Sequence, residues 1–99
     1  MIGPTRVDTV SYEVESGSKM LHLGTMEARM LFFLALHAPR VCTRSQIAKE
    51  VYGFTTYESD SETALIPVCI RHLRQKIEPD PRHPVYLLTM PSVGYQLVL

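Results

Sequence analysis

The stretch that decides the fold is PVCIRHLRQKI, residues 67–77. Together with the residue just before it, the stretch repeats apolar side chains at helical intervals: Ile66, Ile70, Leu73 and Ile77. This spacing puts them on one face of a helix, and Pro67 suits the first turn because an N–H there has no intrahelical partner. The sequence therefore predicts a helix from about Pro67 to Ile77 with one buried face.

The face opposite this stripe carries polar and basic side chains. Its members are Val68, Arg71, His72 and Gln75, with Arg74 and Lys76 at the two flanks. Arginine and glutamine can contact base edges with two hydrogen bonds, a valine can meet a thymine methyl group, and flanking cations can hold phosphates. This composition suits a helix that enters the major groove of DNA, but a solvated, mildly basic helix face is common and fits it equally; the order of the surrounding elements is needed to choose DNA binding.

A second helix is predicted upstream from its capping residues. Thr43 and Gln46 have the spacing of a capping box, in which each side chain bonds the backbone N–H of the other residue. The helix should run to about Tyr52, with Gly53 as its C-terminal stop. The segment that follows, Phe54 to Thr63, is polar and acidic, and we interpret it as a loop.

An apolar run predicts a further helix over Met26–His37, capped by Thr25 and ended by Pro39. Strand-like patterns occur towards both ends of the chain. The expected strands are Val7–Val14, Met20–Leu23, Val85–Thr89 and Gly94–Leu99, with Pro91–Gly94 as a hairpin tip. This order predicts an α+β fold, a winged helix-turn-helix with three helices, a short N-terminal antiparallel sheet and a C-terminal β-hairpin wing.

The composition is typical of one small globular domain, and we expect residues 1–99 to form it. Ten basic and ten acidic side chains give zero net charge, which argues mildly against a strong nucleic-acid binder. The start of the chain lacks the apolar core of a signal peptide, and no apolar run approaches the ~20 residues of a membrane span. We therefore expect a cytoplasmic protein with no membrane partner.

Enzymatic and metal chemistry find little support in the residues. We expect Cys42 and Cys69 to be reduced core residues. Cys69 and His72 are one helical turn apart, but no second pair of ligands is placed to complete a metal site. Glu78 and Asp80 lie in a proline-rich connector and suit an exposed helix end better than acid–base catalysis. We expect no catalytic residue, no metal, no cofactor and no small-molecule substrate.

Several motifs follow one another in a fixed order along the chain. They are Leu23–Glu27, Met30–Leu36, Arg40–Val41, Thr43–Ile47, Val51–Gly53, Ile70–Lys76 and Thr89–Tyr95. As a set they resemble the OmpR/PhoB-type effector domains of bacterial response regulators, including the pattern I-x-x-L-R-x-K and the closing T-x-x-G-x-G-Y without its first glycine. The resemblance implies a four-stranded N-terminal sheet, three helices and a wing.

The resemblance also implies a function. It implies sequence-specific binding of double-stranded DNA by the effector domain of a two-component transcription regulator, with an upstream receiver domain that these 99 residues do not contain. Direct-repeat half-sites and a dimer on DNA are implied as well. By position, the implied site residues are Arg44 and Tyr52 at the DNA backbone, Val68, His72 and Gln75 at bases, Arg71 and Arg74 at phosphates or the groove, and Thr89 and Tyr95 in the wing.

The loop before the predicted recognition helix contains Tyr57, Glu58, Asp60 and Glu62. In the family, the corresponding loop can contact RNA polymerase, and its acidic character here suits a protein partner. A solvated loop is the alternative.

The chain departs from the family pattern at several positions near the implied DNA contacts. Pro67 and Ala64 stand where the family usually has Asp and Arg, and Pro91-Ser92 replaces Arg-Gly at the wing tip. We expect Pro67 to shorten the recognition helix. The other changes remove a phosphate contact and a minor-groove arginine, and predict weak, weakly salt-dependent binding by a monomer. The alternative function is a degenerate winged helix that acts as a protein–protein interaction module.

Overall fold

The computed structural model describes residues 5–7, 13–16, 19–53 and 60–98. In chain order they form β1 (Thr5–Val7), β2 (Glu13–Ser16), β3 (Lys19–His22), α1 (Thr25–His37), β4 (Cys42–Thr43), α2 (Arg44–Glu50), α3 (Asp60–Ile77), β5 (Leu87–Met90) and β6 (Gly94–Leu97). Three helices, a short N-terminal antiparallel sheet and a C-terminal hairpin confirm the predicted winged-helix class. In the described ranges, no helix is long and apolar enough to cross a membrane.

The N-terminal sheet has the order β1-β2-β3, and both pairs of strands are antiparallel. Val7 of β1 lies directly opposite Val14 of β2. The prediction of one strand over Val7–Val14 is therefore wrong, because the two ends of that stretch belong to neighbouring strands. Residues 8–12 lie outside the described part of the chain. A pattern of alternating side chains does not by itself reveal where a strand reverses.

Helix α2 is capped as the sequence predicts. The Thr43 hydroxyl accepts from the Gln46 N–H at 3.1 Å, and the Gln46 side-chain oxygen accepts from the Thr43 N–H at 2.9 Å. The helix ends at Glu50, short of the predicted Tyr52, and Gly53 follows with φ +74, which favours glycine.

Helix α1 begins one residue earlier than predicted. Gly24 occupies the N-cap position without a side-chain hydrogen bond, so the assignment of Thr25 as the cap is wrong. Glu27 lies in the first turn, where a carboxylate interacts favourably with the helix dipole.

Helix α3 begins at Asp60, well before the predicted Pro67, and this proline lies inside the helix. The expectation that Pro67 shortens the helix is wrong. Its ring removes one backbone hydrogen bond, but Ile66 beside it is fully buried and anchors this part of the helix in the core. The N-terminal turns escaped prediction because their residues are polar and show no apolar periodicity.

The core lies where the three helices meet the C-terminal sheet. The predicted stripe of α3 is fully buried, with each side chain at most 1% exposed: Ile66, Ile70, Leu73 and Ile77. It packs in one cluster with Leu31 and Leu34 of α1, Ile47 of α2 and Leu97 of β6. Cys42 and Cys69 are also buried and form no disulfide, as expected.

The wing, formed by β5 and β6, is joined to the rest of the domain through a second sheet of order β4-β6-β5. Gly94 of β6 pairs with Thr43 of β4, and a Cβ added at Gly94 would lie 1.9 Å from the Cys42 carbonyl oxygen. Only glycine permits this approach. Ser92, with φ +65, turns the hairpin between β5 and β6.

Candidate nucleic-acid interface

The exposed face of α3 is the surface that the sequence predicts for DNA. Val68, Arg71 and Gln75 are exposed one after another along it, and His72 is half-buried at its edge. Val68 is 42% exposed and offers an apolar contact on this otherwise polar face. The structure thus brings the three predicted base residues, Val68, His72 and Gln75, onto one accessible face together with Arg71.

Arg71 and Arg74 lie on the same helix but have different surroundings. Among the described residues, the Arg71 guanidinium has no hydrogen-bond or ion-pair partner, and its side chain is exposed. Arg74 donates from Nε and Nη2 to the Leu87 carbonyl at 3.0 and 2.8 Å, and from Nη2 to the Thr89 hydroxyl at 2.7 Å. Arg74 therefore ties α3 to strand β5 of the wing.

Lys76 does not add charge to the exposed face. Its ammonium donates to the His22 carbonyl at 2.7 Å and forms an ion pair with Glu27. These contacts join the end of α3 to β3 and to the first turn of α1. The Lys76 ammonium, which was predicted to flank the exposed face, is thus engaged in contacts within the fold.

Three further predicted site residues connect elements of the fold. The guanidinium of Arg44, the first residue of α2, lies 6.0 Å from the centre of the Tyr95 ring, and this tyrosine is 4% exposed in β6. The Tyr52 hydroxyl donates to the Leu65 carbonyl at 3.3 Å, so the residue after α2 is joined to α3. Burial raises the pKa of the Tyr52 phenol, and the neighbouring Cys69 raises it further.

Cys69 belongs to this buried junction. Burial raises the pKa of its thiol, and its Sγ donates to the Met26 carbonyl at 3.9 Å. Within the part of the chain that the structure describes, no three His, Cys, Asp or Glu side chains are grouped to hold a metal ion.

The predicted partner loop is only partly within the described chain. Tyr57 and Glu58 lie outside the described residues. The prediction of a loop is wrong for Asp60 and Glu62, which lie in the first turn of α3. Acidic residues favour a helix N-terminus because they interact with the positive end of its dipole, and this signal was available in the sequence.

The wing tip exposes apolar side chains. Met90 is 38% and Val93 is 50% exposed on either side of Pro91 and Ser92. The described hairpin therefore presents no cation at the position where the resemblance implies an arginine.

Glu78 is a residue whose role the sequence did not reveal. It was expected at an exposed helix end, but it is only 6% exposed. Its carboxylate accepts from the N–H groups of Val85, Tyr86 and Leu87, at 3.0, 3.1 and 2.8 Å. Strand β5 begins at Leu87 and not at the predicted Val85. Nothing in the local pattern indicates a contact between a helix end and residues seven to nine positions later.

A groove of about 660 Å³ lies between the C-terminal half of α3 and the segment that follows it. It is lined by Arg71, Arg74 and Gln75 from α3, and by Asp80, Pro81, Arg82 and His83 from the segment. The groove adjoins the exposed face of α3, since Arg71 and Gln75 belong to both.

The sequence matches the family profile described as "Transcriptional regulatory protein, C terminal" over residues 17–97. Among curated proteins, the sensory transduction protein RegX3 of Mycolicibacterium smegmatis is 36% identical over 95 residues, 96% of this chain and 40% of that protein. Protein PetR of Rhodobacter capsulatus is 37% identical over 99 residues, 97% of this chain and 41% of that protein. The chain thus spans about two fifths of the length of these relatives.

Solved structures have the same fold. The DNA-binding domain of Klebsiella pneumoniae RstA, crystallised in complex with the RstA box, aligns with a TM-score of 0.81 and 28% identity, over 99% of this chain and 94% of that one. The response regulator DrrB, an OmpR/PhoB homologue of Thermotoga maritima, aligns with a TM-score of 0.79 and 29% identity, over 100% of this chain and 43% of that one.

Proposed function

The chain belongs to the transcriptional regulatory protein C-terminal family and is a winged-helix DNA-binding effector domain; from this premise we propose how it binds its target. Helix α3 lies in the major groove of double-stranded DNA, with Val68, His72 and Gln75 towards the bases and Arg71 at a phosphate. The wing lies against the adjacent backbone.

The observation that carries this proposal is the exposed face of α3. It combines an exposed guanidinium, a side-chain amide, an imidazole and an exposed valine within two helical turns. A valine exposed to water gains by contact with a thymine methyl group, and an amide can pair with adenine through two hydrogen bonds. These groups are complementary to the donors, acceptors and methyl groups of a major groove.

Arg74, Thr89 and Tyr95 act by positioning the wing. Arg74 and Thr89 join α3 to β5, and the buried Tyr95 carries the Arg44 guanidinium on its ring. A rigid link between helix and wing presents both to DNA in one orientation, which lowers the entropic cost of binding. Arg44 contacts the DNA backbone from α2, and Tyr52 orients α3.

The complete protein is a response regulator of the two-component type that works in the cytoplasm, where bacterial DNA lies. Its effector domains bind direct-repeat half-sites as a dimer, which compensates for the few phosphate contacts of one domain. The segment that contains Tyr57, Glu58, Asp60 and Glu62 is the surface for RNA polymerase. The domain acts by binding and performs no catalysis.

The test is fluorescence anisotropy with a randomised duplex pool at several salt concentrations, followed by selection of the bound sequences. Arg71→Ala should weaken binding to all duplexes, since a phosphate contact does not depend on sequence. His72→Ala should relax the base preference at one position of the selected site. Arg29→Ala, an equal charge change at an exposed position of α1, is the control and should bind as the wild type does. Equal losses for both α3 variants on every sequence would contradict the assigned roles.

A second candidate function is that of a protein–protein interaction module. The exposed Met90 and Val93 at the wing tip favour it, because apolar side chains there suit a protein surface better than a phosphate backbone. If neither the domain nor a forced dimer binds any duplex at low salt, this function takes precedence.

A further inference from the structure

The connector between α3 and β5, residues 78–86, is held in one shape by two carboxylates. Glu78 at its start accepts from three successive N–H groups at its end, those of Val85, Tyr86 and Leu87. A buried carboxylate with several backbone donors closes the connector into a fixed loop, because breaking these bonds would leave a buried charge unpaired.

Asp80 fixes the turn inside this loop. One carboxylate oxygen accepts from the Arg82 N–H at 3.0 Å, and the other lies 3.0 Å from the His83 imidazole. The hydrogen bond from His83, and then that from the Arg82 N–H, lower the pKa of Asp80, so this carboxylate is ionised and engaged with its neighbours. Pro79, Pro81 and Pro84 restrict the same turn further.

The fixed turn presents Arg82 to the groove beside α3. Arg82 is exposed, and within the described ranges its guanidinium has no ion pair or hydrogen bond, as is true of Arg71 on the opposite wall. The other two cations of this helix, Arg74 and Lys76, are both bonded within the fold. Two guanidinium groups from different elements, neither with a partner among the described residues, therefore line one groove, and guanidinium forks match the geometry of a phosphate.

We propose that this groove holds one backbone phosphate of DNA and that Arg82, outside the recognition helix and the wing, is a DNA contact. The inference rests on the proposed function, since the groove and the exposed face of α3 share Arg71 and Gln75. With α3 in the major groove, the sugar–phosphate backbone that borders that groove passes over the connector. Arg82 thus supplies a phosphate contact to a domain that has alanine at position 64 and no arginine at its wing tip.

The first test compares salt dependence on a duplex selected by the wild-type domain. Arg82→Ala should reduce the slope of log K against log salt by about 0.9, the value for one phosphate contact. Arg29→Ala makes the same charge change on α1 and should leave the slope unchanged. Arg82 keeps its backbone N–H in the alanine variant and its side chain has no partner in the described fold, so the melting temperature should not change.

The second test locates the contact on the DNA. Each phosphate of the selected duplex is replaced in turn by a neutral methylphosphonate. One replacement should weaken binding of the wild type more than it weakens binding of Arg82→Ala, in which only Arg71 still faces that phosphate, and this non-additivity shows that the two changes remove the same contact. Arg29→Ala should remain sensitive to that replacement.

The outcomes separate this inference from the proposed function. If the wild type binds no duplex, both fail. If the wild type binds and Arg71→Ala weakens it, while Arg82→Ala keeps the wild-type slope, only the role of Arg82 fails. A titration of each protein with inorganic phosphate distinguishes the ligand source: perturbation of the Arg82 Nε resonance by free phosphate, together with unchanged DNA binding by Arg82→Ala, would mean a site for free phosphate and would overturn the proposal.

Discussion

Arg71 and Arg74 are separated by less than one helical turn, yet their surroundings predict opposite consequences of mutation. Arg74→Ala should lower the free energy of unfolding by about 1–3 kcal/mol, because the Leu87 carbonyl and the Thr89 hydroxyl lose charged hydrogen-bond donors. Arg71→Ala should change it by less than about 0.5 kcal/mol, because its exposed side chain has no partner among the described residues. Urea unfolding of both variants measures the difference.

Arg74→Lys is the informative companion variant. Lysine keeps the positive charge but lacks the planar fork that donates to two acceptors at once. It should recover only part of the stability lost in Arg74→Ala. If Arg74→Ala is as stable as the wild type, the link between α3 and the wing has no energetic importance.

The buried thiols and the Tyr52 phenol make stability sensitive to alkaline pH. Burial raises the pKa of Cys42, Cys69 and Tyr52 in the folded protein, so their ionisation favours the unfolded chain. Their contribution to stability is complete below the pKa values of the unfolded state and is lost as pH rises above them. The free energy of unfolding should therefore fall from about pH 8.5 upward, where exposed thiols ionise, by at most ~1.4 kcal/mol per pH unit for each group.

Chemical unfolding at a series of pH values tests this expectation. A Cys42→Ala, Cys69→Ala double variant is the control, since its pH dependence should begin only near pH 10, where a free tyrosine ionises. Alanine at both sites lowers stability at every pH, but the slope with pH is the quantity compared. The same slope in both proteins between about pH 8.5 and 10 would contradict the role of the thiols.

At the scale of elements, Pro67 is the clearest local conflict between sequence and structure. It lies inside α3, where it cannot donate to the carbonyl one turn earlier. Pro67→Ala should restore that hydrogen bond and raise the free energy of unfolding, by up to ~3 kcal/mol. Thermal unfolding measures the gain, and Pro81→Ala in the connector, which has no helical bond to restore, is the control. A loss of stability in Pro67→Ala would mean that the proline fits a local bend of the helix.

Elements with a repeating apolar pattern or a capping signal could be predicted from the sequence. The stripe of α3 is buried and the capping box of α2 forms, both as predicted, because periodicity and capping depend on residues close together in the chain. The contacts of Glu78 and Arg74 could not be predicted in this way. They depend on how the chain after α3 returns towards that helix, which no local pattern specifies.

The same distinction applies to the candidate site. The exposed position of Val68, Arg71 and Gln75 follows from helical geometry once the buried stripe is identified. Helical geometry does not reveal which cations are bonded within the fold. Lys76, for example, contacts residues that lie more than 45 positions away in the chain. No sequence pattern singles out Arg82, because it lies in a connector and not on a periodic face.

The distribution of charge over the whole domain limits how tightly one domain can bind DNA. The net charge is zero, and two of the cations of α3 are bonded within the fold. Few cations remain for phosphates, and each phosphate contact contributes to both affinity and salt dependence. A single domain should therefore bind weakly, and we expect higher affinity where two domains act together on neighbouring half-sites.

This requirement predicts that affinity depends on the spacing of repeated sites. Two copies of the selected half-site, placed as direct repeats about 10–10.5 bp apart, present the same face of DNA to both domains, whereas about 15 bp puts them on opposite faces. The closer pair should bind two domains cooperatively, with a coupling of about 1–3 kcal/mol, because neighbouring domains can then touch. Analytical ultracentrifugation and gel shifts with each duplex measure the coupling, and a duplex with one half-site is the control. Equal, independent binding at both spacings would mean that the domain acts as a monomer.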